Sequence, residues 1–191
     1  GVGQGGLIIY DIAEPLSPEI LGTYPDRGHG RYHRLHVFGA GDPGRGLAYL
    51  THRDHGLSIV DVSDPTDIVE VGLWGRGGLG GMSQQGDLLY ITQDEGNLLT
   101  LDITDRSAFI ELGSVSGLGH PWTLVSTPEA LYIADGSAGV VVMSLADPRS
   151  PAVVDTIDLG GVQDLVLGAG MLYAAAGSEG LVALDLSDPL H

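Results

Sequence analysis

The chain has 191 residues, 43% of them apolar, and sets 25 acidic against eight basic side chains for a formal charge of −17. That length suits one substantial core, and the acidic excess opposes wrapping a phosphate backbone, which argues against nucleic acid as a partner. Cysteine is absent, which excludes disulfides, thiolate metal sites and cysteine nucleophiles, and no apolar run approaches the ~18–20 residues of a membrane span.

All eight basic residues are arginine. An acidic, lysine-free chain fits a secreted or a salt-adapted protein equally well. It opens Gly1-Val-Gly-Gln without an initiator methionine, which reads as a processed protein or a piece of a longer one.

In chain order, one stretch is written five times. It appears first as Gly6-Leu-Ile-Ile-Tyr-Asp-Ile-Ala-Glu-Pro15 and then as Gly56-Leu-Ser-Ile-Val-Asp-Val-Ser-Asp-Pro65. Three more copies start at Gly96, Gly139 and Gly180. Each is a short β-branched run bounded by glycine and a turn, the mark of a buried strand. The Asp-Pro pair makes that turn, with proline presetting φ and the preceding aspartate capping exposed amides. A second extended segment follows each turn, as in Ile68–Trp74, Pro18–Tyr24, Phe109–Val115 and Pro151–Ile157.

Two further strands precede each glycine-led one. The better marked carries a tyrosine column, Tyr49, Tyr90, Tyr132 and Tyr173, expected to wedge between neighbouring sheets. The weaker covers 34–38, 81–84, 122–125 and 163–167. Labelled A to D, with the tyrosine strand as B and the glycine-led strand as C, four short antiparallel strands recur about every ~40 residues, the period of β-propeller blades. The repeats fall at roughly 1–24, 25–74, 75–115, 116–157 and 158–191. The fold expected is therefore all-β, a single β-propeller or propeller fragment of four-stranded antiparallel blades. About four blades are represented; Gly6–Asp11 and Gly180–Asp185 both claim the C position of a four-blade closure, so either one copy is displaced or the ring has more blades than this chain supplies and is incomplete. An unpaired C strand is an edge open to another chain.

The glycine-led stretch, best preserved at residues 56–65, is similar to the repeat of the LVIVD-repeat propeller family of bacterial and archaeal surface or secreted proteins. The likeness weakens where Arg106 replaces the proline and where Ser144 replaces the usual aspartate. The resemblance implies an extracellular or cell-surface protein, with the periplasm as the alternative. It carries no assigned activity.

Propeller topology puts the D–A and B–C loops on one face, and six of the seven histidines lie in or near those loops. His29, His33, His36, His52 and His55 cluster on one blade and His120 lies two blades on; with Asp54 they form the candidate set for copper, zinc or iron. Arg31, Arg34, Arg53, Trp74, Arg76 and Trp122 are the candidate binding-face residues. The Asp-rich turns lack the dense oxygen alternation of calcium loops and read as turn caps. Gly75–Gly81 leads into no helix and is not a phosphate loop, and no Gly-x-Ser-x-Gly nucleophile motif is present. The favoured reading is recognition: a secreted or surface module for a protein or glycan, or for further copies of itself through the open edge. The alternative is a metal-dependent oxidoreductase or hydrolase built on the histidines.

Overall fold

The computed structural model describes residues 6–25, 32–37, 44–52 and 54–188. Their regular structure is almost wholly antiparallel strand, and they separate into two compact units. The first comprises residues 1–79 with 105–109, and the second residues 80–104 with 110–191.

In the first unit, β1 (Leu7–Asp11) pairs with β2 (Glu19–Tyr24) as a two-stranded sheet. Beside it lies a four-stranded sheet in simple sequence order, built from β3 (Tyr32–Val37), β4 (Leu47–His52), β5 (Gly56–Asp61) and β6 (Val69–Trp74). Leu7 and Tyr24 pack with Ala48, Leu50 and Val60 to form the core between these two sheets. The whole of β5 from Gly56 to Val60 is buried, so its alternation separates two covered faces rather than core from solvent.

In the chain order of the second unit come β7 (Leu79–Gln85), β8 (Leu88–Gln93), β9 (Asn97–Asp105) and β10 (Ala108–Ser116); the β9–β10 tip belongs to the first unit. Next is the sheet of β11 (Thr123–Ser126), β12 (Ala130–Ala134), β13 (Val140–Ser144) and β14 (Ala152–Ile157). A three-stranded sheet ends the order, with β15 (Val162–Gly168), β16 (Met171–Ala176) and β17 (Leu181–Asp185). Among the described residues, then, three sheets carry all four strands A to D, β1–β2 supply C and D, and β15–β17 supply A, B and C.

The expected tyrosine wedge is present. Tyr49, Tyr90 and Tyr132 are fully or almost fully buried, and Tyr173 is half-buried. Tyr49 donates its hydroxyl to the Arg106 carbonyl at 2.9 Å, and Tyr90 donates to Pro148 at 2.9 Å. Arg106 stands where the other turns have proline, and its carbonyl takes the same bond because only the backbone is read there. A buried hydroxyl needs such a partner, so the B strand of one repeat is tied to the C–D turn of the next.

Those turns cap themselves. Asp64 Oδ1 accepts from the Thr66 amide at 2.9 Å and hydroxyl at 2.7 Å. The aspartates that close the apolar run of the C strands do likewise: Asp61 accepts from Ser63, and Asp102 from Thr104. A register shift interrupts the C–D pairing in three sheets, at Ile9/Tyr10, Ile59/Val60 and Val142/Met143, a bulge that adds local twist.

Candidate functional site

The leading glycines of three C strands, Gly56, Gly96 and Gly139, explain how the D–A and B–C loops meet there. Gly56 has φ +99°, and a Cβ there would lie 2.1 Å from the Trp74 carbonyl oxygen; at Gly139, φ +91°, it would lie 2.1 Å from that of Ile157. The D–A loop thus begins directly on the backbone of the B–C loop, an approach only glycine permits.

In the second unit this contact builds a hydrogen-bonded platform. The Leu118 amide donates to the Gly96 carbonyl at 3.0 Å, and the Gly119 amide donates to Asp135 Oδ2 at 2.7 Å. Asp135 is almost fully buried, and its own amide donates to the Gly139 carbonyl at 2.9 Å. Gly136 and Val162 exchange two backbone bonds, at 3.2 and 3.0 Å. On this frame the Trp122 amide donates to the Ala134 carbonyl at 2.8 Å and Pro121 is buried, yet the Trp122 side chain is 53% exposed. His120 beside it is exposed as well. The loop therefore holds the backbone and presents the indole.

The first unit holds a different arrangement. His52 is wholly buried, with Nε2 2.7 Å from Ser58 Oγ; Ser58 donates to Glu70 Oε2 at 3.1 Å, and the Tyr24 hydroxyl donates to the same oxygen at 2.7 Å. Ser58 has one hydroxyl proton and gives it to the acceptor-only carboxylate, so the His52–Ser58 bond must run from Nε2–H to Oγ. The result is a polar chain through the unit's interior, joining β2, β4, β5 and β6. Sequence reasoning missed it. Its one signal was a serine and a glutamate standing in otherwise apolar strands.

The histidine set is only partly gathered. His52 points into the buried chain rather than toward a loop ligand, because it ends β4 where the strand is covered on both faces. His36 is half-buried on β3 opposite Tyr49, whereas Asp54 and His55 are exposed in the B–C loop. His29 and the side chain of His33 lie outside the described residues, as do Arg31 and Arg53. Among the described residues, no three His, Asp or Glu side chains are grouped so as to hold a metal ion. Of the other binding-face candidates, Arg34 and Trp74 are half-buried and Arg76 is exposed. Arg34 donates its amide to Thr51 Oγ1 at 3.1 Å, and Trp74 pairs with Leu57 in the sheet.

Blades of this pattern, tied tyrosine to turn, define the class as a β-propeller repeat protein. The model of the LVIVD repeat matches residues 1–26, 46–74, 81–116 and 159–191, and the chain belongs to that family. Among solved structures, a protein from Lactobacillus plantarum superposes with a TM-score of 0.71 at 14% identity, over 94% of this chain and 60% of that one. The periplasmic gluconolactonase of Pseudomonas aeruginosa gives 0.67 at 16% identity, over 85% of this chain and 50% of its own. Identities this low speak for the fold alone. One curated protein, an sn-glycerol-3-phosphate import ATP-binding protein of Roseobacter denitrificans, is 31% identical over 85 residues, which is 44% of this chain. The chain spans 23% of that relative and 50–60% of the two structures.

Proposed function

We propose that this is a secreted or cell-surface recognition module that engages a protein or glycan through the D–A/B–C loop face, with Trp122 as its anchor. The observation that carries the reading is the contrast at Trp122: a locked backbone beneath a 53% exposed indole. A rigid aromatic loses little entropy on binding and supplies a large apolar area with one donor, the profile of a binding hot spot. Sugar rings and aromatic or proline-bearing peptide segments both stack on such a face.

The test is a panel of immobilised glycans and displayed peptides, read by retention of the dye-labelled protein in its unaltered and Trp122→Ala forms. A hit whose affinity falls about tenfold or more in Trp122→Ala supports the reading. Hits that retain their affinity in Trp122→Ala overturn it.

A further inference from the structure

The loop face of the second unit carries more than an exposed indole. Its loops lie directly against one another. Gly96 abuts the carbonyls of Leu118 and Gly119, the Gly119 amide bonds to Asp135, Gly136 pairs with Val162, and the Gly160 amide donates to Glu179 Oε1 at 3.3 Å. Along this run stand five carboxylates, Asp94, Glu95, Asp135, Asp158 and Glu179, and no arginine. The unit's one arginine, Arg149, sits in a C–D turn and pairs with Asp102.

Four of these carboxylates are exposed, whereas Asp135 is only 2% exposed. Its Oδ2 accepts from the Gly119 amide, but Oδ1 is buried with no hydrogen-bond partner among the described residues. A buried acceptor in that state costs free energy until a donor reaches it. The way to it runs past Gly119, which is exposed. A Cβ at Gly119 would lie 3.5 Å from Oδ2 and 3.6 Å from Oδ1, so the carboxylate faces the place of a missing methyl group. The indole stands close by: a Cβ at Gly136, the residue after Asp135, would lie 3.6 Å from Trp122 Nε1.

We infer that the partner held by Trp122 is a basic peptide segment, whose arginine lays its guanidinium on the indole and donates past Gly119 to Asp135 Oδ1. This rests on the recognition reading above and names the partner's chemistry. Guanidinium is the cation that both stacks on an aromatic plane and offers its donors in a fixed fork. The acidic run steers the segment in, and Asp135 sets its register. A neutral sugar would gain nothing from the four exposed carboxylates.

The probe is a fluorescent peptide of alternating arginine and glycine, read by anisotropy at ~0.1 M salt. It should bind saturably, and the same peptide with glutamine for arginine about tenfold or more weakly. Asp135→Asn keeps an acceptor for the Gly119 amide and should weaken binding about tenfold. Asp147→Asn removes the same charge at the other end of β13, beyond a screening length of ~10 Å, and should change binding less than about twofold. Gly119→Ala separates contact from charge: its methyl group covers the carboxylate in ordinary van der Waals contact, and should also weaken binding about tenfold without lowering the melting midpoint. Equal losses in Asp135→Asn and Asp147→Asn, or full affinity in Gly119→Ala, overturn the assignment, because only diffuse attraction is then left. Failure of the arginine peptide beside a neutral ligand that depends on Trp122 also overturns it, while the recognition face stands. Absence of every Trp122-dependent ligand removes both.

Discussion

At the scale of single residues, buried hydroxyls and one carboxylate connect neighbouring sheets. Burial pushes the Tyr90 phenol up to about 12, with the charge of Asp147 adding to it. The folded state thus holds this proton more tightly than the unfolded chain, whose phenol titrates near 10.0. The stabilisation is complete below pH ~10 and is lost as pH rises toward ~12. Tyr90→Phe should flatten that alkaline decline in a pH series of denaturant midpoints. At neutral pH it should cost about 1 kcal/mol through the loss of the Pro148 bond; a midpoint unchanged at every pH would show the bond to be idle. The chain of His52, Ser58, Glu70 and Tyr24 makes a second test. Glu70→Ala strips two hydroxyls of their acceptor, so Glu70→Ala and Ser58→Ala should each destabilise by about 1–3 kcal/mol. Their double mutant should be less affected than the sum, because the two residues share one bond. Simple additivity would separate them.

At the scale of elements, outer strand and turn set the spacing between repeats. Gly22, Gly72 and Gly113 hold the same place in successive D strands, yet their surroundings differ. A Cβ at Gly22 would fall 1.6 Å from the Pro65 carbonyl oxygen, whereas one at Gly113 meets nothing within 4 Å. Gly22→Ala should therefore destabilise by about 2 kcal/mol or more, as overpacking against backbone does. Gly113→Ala should be neutral or slightly stabilising, since alanine restricts the unfolded chain. Equal melting shifts for the two would contradict the close approach. The turns themselves answer to acid. Hydrogen bonds from the Ser63, Thr66, Thr104 and Ser107 side chains, then from their amides, lower the pKa of Asp61, Asp64, Asp102 and Asp105 below the usual 3.8. Their stabilisation is present above pH ~4 and is lost as pH falls through the lowered values. Replacing all four by Asn should lower the neutral-pH midpoint and shallow the decline below pH ~4, because the linked contribution is then absent at every pH.

For the molecule as a whole, strand order, the tyrosine column and the capped turns were legible in the sequence, because each repeats and each depends on local residue chemistry. Trp122 was legible as a candidate from its loop, but its presentation rests on bonds to Ala134 and between Gly119 and Asp135 that join segments distant in sequence. The Ser58–Glu70 bond stayed hidden for a related reason: its two residues sit in different strands, and only the C–D register makes them meet. Charge is the other property belonging to the entire chain. A formal −17 repels itself more strongly when folded than when spread along an unfolded chain. Local hydrogen bonds to turn aspartates spread this charge without cancelling it, and Arg149 with Asp102, 3.2 Å apart, is an ion pair largely open to solvent on the arginine side. Screening length falls from ~30 Å at 0.01 M salt to ~10 Å at 0.1 M, so the thermal midpoint should climb over that interval and level off beyond it. Sodium and tetramethylammonium chloride should act alike if screening is the cause. A rise with sodium alone would point to cation binding, and a flat response to charges already too dispersed to matter.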